Sequence, residues 1–272
     1  MQPGDVLAHL LLRLQTERTV LVTVLAVRGS VPRDAGTWMA VFAADFLATI
    51  GGGKLELDAI NHARLVLLGG EVPGEKVLPL GPSLGQCCGG EVRLRFEALG
   101  TADVDSLRSR LAVSRTPVAV FGGGHVGQAL VQVLAPLPFA IHWVDSRDEV
   151  FPAGLPAHVQ CEHSDPVQAA VAELAPHSRV LIMSFSHAED LDIVAACLSR
   201  QREKGDLPFI GMIGSKTKWA TFRKRLEARG YSAAELAQVV CPIGVPGIAD
   251  KRPAVIAVAV AAQLLQLGLP VH

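Results

Sequence analysis

The sequence has no excess of charge of either sign, and this excludes one large class of partner. It carries 25 basic and 26 acidic residues for a net charge of −1, and each half of the chain is close to balance. Domains that bind nucleic acid usually show a clear basic excess, so no nucleic-acid partner is expected.

An export signal and a clear membrane span are also missing. The first residues show no basic region followed by an apolar run, which leads us to expect a cytoplasmic protein. The most apolar stretch, residues 253–271, contains Gln263 and Gln266 and favours a buried or interface helix over a membrane span. Five cysteines, an odd number, argue against a disulfide framework.

The C-terminal part of the chain alternates apolar strand-like runs with helical segments. Such alternation predicts βαβ units and a parallel sheet covered by helices on both faces. Strands are expected at residues 118–121, 140–144, 159–162, 179–185, 209–213 and 239–241. Helices are expected at residues 127–134, 166–175, 190–204, 216–229 and 253–267.

The N-terminal part follows a different pattern, with glycine clusters at turns between shorter elements. It predicts a small α+β unit, so the whole chain is interpreted as an α/β protein. A smaller α+β domain (1–102) precedes a short helical linker (103–116), and a Rossmann-type doubly wound parallel sheet (117–272) follows.

A glycine-rich loop opens the second domain and indicates a phosphate-bearing ligand. Gly122, Gly124 and Gly127 directly follow an apolar strand and begin a helix, the context that the Rossmann fingerprint requires. In that motif the first glycine permits a tight turn, the second lets backbone approach a phosphate, and the third lets helix and strand pack closely. Asp145 lies 18 residues beyond Gly127, where a ribose hydroxyl would be met.

Three further residues are candidates near this loop. Arg147 would either meet a 2′-phosphate or be a solvated loop charge, which leaves a choice between NAD and NADP open. His187 follows the fourth predicted strand, at the sheet edge where open α/β proteins place their ligands. His125 lies inside the loop and either touches ligand or forms loop surface.

Four separated stretches resemble the XdhC/CoxI family of accessory proteins for molybdenum-containing xanthine dehydrogenases and related hydroxylases. Shorter matches at Ile213-Gly214-Ser215-Lys216 and Pro242-Ile243-Gly244 support them, and together they cover nearly the whole chain. The four stretches are Gly29-Ser30-Val31-Pro32-Arg33-Asp34-Ala35-Gly36, Thr49-Ile50-Gly51-Gly52-Gly53-Lys54-Leu55-Glu56, Leu84-Gly85-Gln86-Cys87-Cys88-Gly89-Gly90 and Phe121-Gly122-Gly123-Gly124-His125-Val126-Gly127.

The resemblance implies a helper protein rather than an enzyme. Such a protein binds molybdenum cofactor in its molybdopterin form, protects it during sulfuration and delivers it to a xanthine dehydrogenase-like hydroxylase. A cysteine desulfurase as sulfur donor and a cytoplasmic homodimer are further implications.

The residues themselves agree with this in kind. A phosphate binds well to N–H groups at a helix start, and Gly51, Gly52 and Gly53 offer a second such place before a predicted helix. A molybdenum atom or a sulfur in transit prefers a soft thiolate, and Cys87 and Cys88 lie between glycines. The opposing interpretation is that this cysteine pair is simply buried; Cys161, Cys197 and Cys241 are expected in the core.

Two other functions stay open. An NAD(P)-dependent oxidoreductase would use the Rossmann loop to hold NAD(P) or another nucleotide, but only His187 offers an acid or base. The single tyrosine, Tyr231, is not part of a Tyr-x-x-x-Lys arrangement. A thiol redox or sulfur-relay protein would centre on Cys87 and Cys88, which lack the C-x-x-C spacing of redox motifs.

Overall fold

The computed structural model describes residues 3–70, 74–80, 90–112 and 114–269. They form two compact units, Met1–Val113 and Ser114–His272, called here the N-terminal unit and the C-terminal unit. Within the described residues, none of the helices is both long and apolar enough to cross a membrane.

The N-terminal unit is a five-stranded antiparallel sheet with helices on both faces. The strand order is β3-β2-β1-β5-β4. Alternate residues of β1 point to opposite faces, Val20 and Val22 toward α2 and Leu21 toward α1 and α3. In chain order the elements are α1 (Pro3–Arg13), β1 (Thr19–Arg28), β2 (Trp38–Val41), β3 (Phe46–Ala48), α2 (Gly53–Leu67), β4 (Glu75–Pro79), β5 (Glu91–Leu99) and α3 (Val104–Arg110).

The C-terminal unit is a six-stranded parallel sheet in the order β8-β7-β6-β9-β10-β11. This is the doubly wound order: β7 and β8 are added on one side of β6, and β9, β10 and β11 are then added on its other side. Its elements are β6 (Thr116–Phe121), α4 (His125–Leu134), β7 (Phe139–Asp145), β8 (Val159–His163), a 3₁₀ helix (Val167–Glu173), β9 (Arg179–Ile182), α5 (His187–Lys204), β10 (Phe209–Met212), α6 (Lys216–Ala228), α7 (Ala233–Leu236), β11 (Val239–Val240) and α8 (Pro253–Gln266).

Both faces of this parallel sheet are buried, as its apolar strands predict. Ala119 and Phe121 of β6 pack against α5 and α6, whereas Val118 and Val120 pack against α4 and α8. The predicted fold class, an α/β chain with a C-terminal Rossmann-type sheet, is therefore confirmed.

Several predicted elements differ from the structure in type, extent or place. The helix expected at residues 166–175 is a 3₁₀ helix, Val167–Glu173. The strand expected to run to Phe185 ends at Ile182. The segment interpreted as a linker contains α3, and Val104 and Leu107 of α3 are buried in the core of the N-terminal unit, so this helix is part of that unit.

Candidate functional site

Two glycines of the loop at residues 122–127, called here the glycine loop, are required by close packing. Gly122 has a φ of 124°, and a Cβ atom there would lie 2.1 Å from the carbonyl oxygen of Met183. A Cβ atom on Gly127 would lie 1.9 Å from the carbonyl oxygen of Gly122. No side chain fits at either position, so the loop holds β6, β9 and the start of α4 tightly together.

The Gly124 end of the same loop is open. Gly124 is the N-cap of α4, it is exposed, and no atom lies within 4 Å of the position that its Cβ would occupy. His125, the first residue of α4, is exposed as well. Within the described residues, the N–H groups of Gly124 and His125 have no acceptor. These donors at a helix start suit an anion that approaches from solvent.

The Gly123 side of the loop is closed by the chain itself. The Gly123 N–H donates to Oδ2 of Asp145 at 2.5 Å, and the Val150 side chain covers the place of a Gly123 Cβ. Asp145, the last residue of β7, is only 1% exposed. It therefore reaches the loop, as its spacing predicts, but as a partner of the loop backbone.

Arg147 donates to the acceptor positions of the Asp145 carboxylate that Gly123 does not use. Its Nε donates to Oδ1 at 2.8 Å, its Nη2 donates to Oδ2 at 2.9 Å, and its backbone N–H also donates to Oδ1. Burial raises the pKa of Asp145, but the hydrogen bonds from Arg147 and Gly123 outweigh it and leave the pKa below its ordinary value. Arg147 is therefore an ion-pair partner of the buried Asp145, while its own side chain stays 36% exposed.

A second set of contacts ties the segment after β7 to the segment after β9. The Arg147 guanidinium lies 4.5 Å from the ring centroid of Phe185, an exposed aromatic residue. Ser146 donates from its hydroxyl to Glu189 at 2.8 Å, and the backbone N–H of Phe185 donates to the same carboxylate. Both segments lie at the carboxyl ends of their strands, beside the point where strand order reverses.

His187 lies at this edge, as predicted, but the buried charges next to it were missed. It is exposed as the first residue of α5. Three residues further on, Asp190 is buried and accepts hydrogen bonds from Ser184 and from Lys218 Nζ, the latter at 2.6 Å. Sequence alone gives little sign of this pair, because Lys218 is 28 residues from Asp190.

In the N-terminal unit the structure brings together two of the resemblance stretches and Gly90, the last residue of a third. A Cβ atom on Gly51 would lie 2.6 Å from the Pro32 side chain, and one on Gly90 would lie 2.4 Å from the carbonyl oxygen of Ser30. Segments that are far apart in sequence are therefore in direct contact. Arg33, beside Pro32, is exposed.

The turn formed by Gly51, Gly52 and Gly53, called here the glycine turn, already holds a carboxylate. Oε2 of Glu56 accepts hydrogen bonds from the N–H groups of Ile50 and Gly52, at 3.0 and 3.2 Å, and from the Thr49 hydroxyl. The Gly51 N–H donates to the Thr49 hydroxyl. The expectation that this turn offers free N–H groups is thus wrong for Gly51 and Gly52. An acidic residue in the first turn of α2 was the available signal.

Cys87 and Cys88 lie outside the described residues. Of the residues that flank this stretch, Leu80 donates from its N–H to the Gly90 carbonyl at 2.7 Å. Among the described residues, no group of three or more His, Cys, Asp or Glu side chains is arranged to hold a metal ion.

The described cysteines differ from one another. Cys197 is fully buried, as predicted, and burial raises its pKa to about 12. Cys241 is partly buried beside the core, with burial raising its pKa to about 11. Cys161 is exposed on β8, so its expected place in the core is wrong. With pKa values raised this far, the thiols of Cys197 and Cys241 stay protonated at neutral pH and are poor nucleophiles and ligands.

One cavity lies beside the glycine loop, along α4. Its volume is about 270 Å³, and Gln128, Gln132, Trp143 and Phe151 are among its lining residues. Gln128 also donates to the carbonyl of Gly123, which connects the cavity wall to the loop.

Comparisons with known proteins agree with this architecture. The chain shares 25% identity over 245 residues with "Uncharacterized protein YqeB" of Escherichia coli strain K12, covering 88% of this chain and 42% of that protein. The chain thus spans about two-fifths of the length of that relative. A crystal structure described as a xanthine dehydrogenase from Bacillus halodurans has the same fold, with a TM-score of 0.78, 20% identity, and coverage of 98% of this chain and 96% of that chain.

Two family models match the chain directly. Residues 118–264 match the XdhC Rossmann domain, which is more than half of the chain. Residues 12–73 match the model of the XdhC and CoxI family and include the glycine turn and the stretch from Gly29 to Gly36. The chain therefore belongs to the XdhC and CoxI family.

Proposed function

We propose that this protein is an accessory factor that binds molybdenum cofactor, protects it during sulfuration and delivers it to a xanthine dehydrogenase or a related molybdenum hydroxylase. Family membership supports a role in xanthine dehydrogenase maturation. The strongest support is that both family models match this one chain, and that the match to the Rossmann domain covers the open glycine loop.

The C-terminal unit suits the phosphate of that cofactor at one place. Gly124 and His125 offer N–H groups without acceptors at an exposed helix start, and Gly124 leaves room for close approach. The glycine turn of the N-terminal unit suits it less well, because the Glu56 carboxylate already accepts from that turn and would repel a phosphate. A role for Gly51, Gly52 and Gly53 in ligand binding stays a proposal that requires Glu56 to move.

Sulfur and metal contacts are proposed for Cys87 and Cys88. The cofactor supplies a metal that prefers soft thiolate ligands. Cys197 and Cys241 do not suit that task, since burial raises the pKa of each thiol to about 12 and about 11. The exposed Cys161 lies outside the resemblance stretches and serves as a control.

The remaining parts of the proposal concern partners and chemistry. The protein would act without turnover of its own, receive sulfur through a cysteine desulfurase and work as a cytoplasmic homodimer. Asp145 and His187 would lie at the ligand-facing edge of the C-terminal unit, with Asp145 acting through the loop backbone it holds.

A cofactor-retention assay tests the function. The full chain is produced with and without active molybdenum cofactor synthesis, and bound pterin and molybdenum are measured after gel filtration. We expect retention that Cys87→Ala or Cys88→Ala reduces, while Cys161→Ala leaves it unchanged. No retention in the unmodified chain at any cofactor ratio would overturn the proposal.

A second experiment locates the phosphate. Gly124→Leu places a side chain in the open space at the start of α4, where no atom lies within 4 Å. The fold should therefore survive while pterin retention is lost. Full retention in a folded Gly124→Leu protein would contradict a phosphate site at this loop.

An NAD(P)-dependent oxidoreductase is the second candidate, favoured by the strand order and the glycine loop. Against it, the Asp145 carboxylate is buried and paired with Arg147. Titration with NADH and NADPH, followed by nicotinamide fluorescence, separates the two functions. A sulfur relay at Cys87 and Cys88 would show sulfur transfer from a desulfurase without bound pterin.

A further inference from the structure

We propose that Arg147 is a specificity-determining residue that keeps adenine dinucleotides out of the glycine loop and restricts the loop to ligands whose phosphate is terminal. The inference rests on the proposed use of the Gly124 end of the loop for phosphate. It concerns which phosphate esters can enter, a property that the loop motif alone leaves open.

The first step is the state of the Asp145 carboxylate. In doubly wound proteins that bind dinucleotides, the acidic residue after the second strand accepts from the ribose hydroxyls. An ionised carboxylate has about four acceptor positions. Here Oδ1 accepts from the backbone N–H and Nε of Arg147, and Oδ2 accepts from Nη2 of Arg147 and the N–H of Gly123. No acceptor position is left for a ribose.

The second step is the position of the guanidinium. It lies against the Asp145 carboxylate on one side and over the Phe185 ring on the other, 4.5 Å from its centroid. The hydrogen bond to Asp145 is the main cause that raises the pKa of Arg147, and the attraction of the nearby Glu189 carboxylate raises it further. The guanidinium therefore fills the space beside the carboxylate in which an adenosine ribose would lie.

The third step is the path along the loop. A dinucleotide would continue from its pyrophosphate toward the acidic residue, past Gly123. Gly123 is covered by Val150, and its N–H is already donated to Asp145. Gly124 at the other end is open. A phosphomonoester needs only the open end, whereas a dinucleotide needs both ends.

Arg147→Met tests the proposal, because methionine keeps an apolar stem over Phe185 while removing every guanidinium donor. Arg252→Met is a matched control, since Arg252 pairs with Asp250 through its backbone N–H and Nε at the same sequence spacing, on the exposed surface. ADP-ribose, NADH and NADPH are titrated by calorimetry into the full chain and both variants. Circular dichroism checks their folding.

We expect ADP-ribose and NADH to bind Arg147→Met at least about tenfold more tightly than the unmodified chain, the gain that a hydrogen bond to a charged acceptor gives. Arg252→Met should match the unmodified chain. Arg147→Lys, which keeps the charge but loses the two-point contact, should give a smaller gain and replaces Arg147→Met if that variant does not fold.

Two results would overturn the inference: equal ADP-ribose affinity in folded Arg147 variants and the unmodified chain, or tight NADPH binding by the unmodified chain that Arg147→Met abolishes. The second result would make Arg147 a 2′-phosphate ligand. The test is independent of pterin retention. If the chain retains no pterin but Arg147→Met binds dinucleotides more tightly, only the proposed function is contradicted. If the chain retains pterin but Arg147→Met gains no dinucleotide affinity, only this inference is contradicted.

Discussion

Gly127→Ala should destabilise the C-terminal unit by about 2 kcal/mol. The new methyl carbon would lie 1.9 Å from the Gly122 carbonyl oxygen, a backbone atom that cannot rotate away. Overpacking of this kind costs about 1–3 kcal/mol, and a backbone neighbour places the cost at the upper end. Alanine recovers up to about 1 kcal/mol through better helix propensity and a less flexible unfolded chain.

Gly124→Ala, three residues earlier, is the matched control. Its φ is −72° and its Cβ would meet no atom within 4 Å, so the native backbone accepts alanine. Alanine is a poorer N-cap than glycine, but it also restricts the unfolded chain, and the two effects oppose each other. We expect a change in the free energy of unfolding within about 0.5 kcal/mol.

Urea unfolding gives the free energies, and the side-chain N–H resonance of Trp143 gives a local readout. Trp143 Nε1 donates to the Gly122 carbonyl at 2.9 Å, the same oxygen that the Gly127→Ala methyl would strike. This resonance should shift in Gly127→Ala and stay in place in Gly124→Ala. Equal stabilities together with an unmoved Trp143 resonance would show that the loop is not close-packed as described.

Three further predictions concern single side chains. Glu56→Ala should lower the stability of the N-terminal unit by about 1–3 kcal/mol in urea titrations, because the partly buried N–H groups of Ile50 and Gly52 lose their acceptor. Arg200→Met should cost about 3 kcal/mol, since Arg200 is a buried ion-pair partner of Asp206 at 2.7 Å. Arg200 holds the pKa of Asp206 below its ordinary value, so the stabilisation by this pair is present above about pH 4 and is lost as the pH falls. The free energy of unfolding of Arg200→Met should therefore vary less with pH on the acid side than that of the unmodified chain. In mass-mapped alkylation, the exposed Cys161 should react before the buried Cys197, whose pKa is raised to about 12.

The fold of the C-terminal unit could be predicted because its signals are local and repeated. Apolar strands followed by helices require burial on both faces, and the glycine loop marks where the first strand turns into the first helix. The ends of elements were predicted less well. β9 ends at Ile182, and after Met183, whose N–H still donates to the Phe121 carbonyl of β6, the chain bonds elsewhere: the Ser184 N–H and hydroxyl both donate to Asp190, and Ser186 caps α5.

The candidate site was predictable in position but not in its internal pairing. Spacing correctly brought Asp145 to the glycine loop, yet a glycine pattern does not reveal whether the N–H groups of the loop have acceptors. Whether Arg147 faces solvent or its neighbour two residues back depends on burial, which composition does not give. The Lys218–Asp190 pair joins two helices that only the sheet topology places side by side.

The two glycine-rich segments differ in a way that decides where a phosphate can approach. At the glycine turn, the carboxylate comes from Glu56 in the first turn of the following helix and accepts from the N–H groups of Gly52 and of the preceding Ile50. At the glycine loop, the carboxylate comes from Asp145 on the next strand and takes only the Gly123 N–H, because its other acceptor positions are filled by Arg147. A carboxylate bound to one N–H leaves the rest of the loop available, whereas one that spans the turn competes with any phosphate. The Gly124 end of the C-terminal loop is therefore the stronger candidate for ligand phosphate, although both segments carry the same run of three glycines.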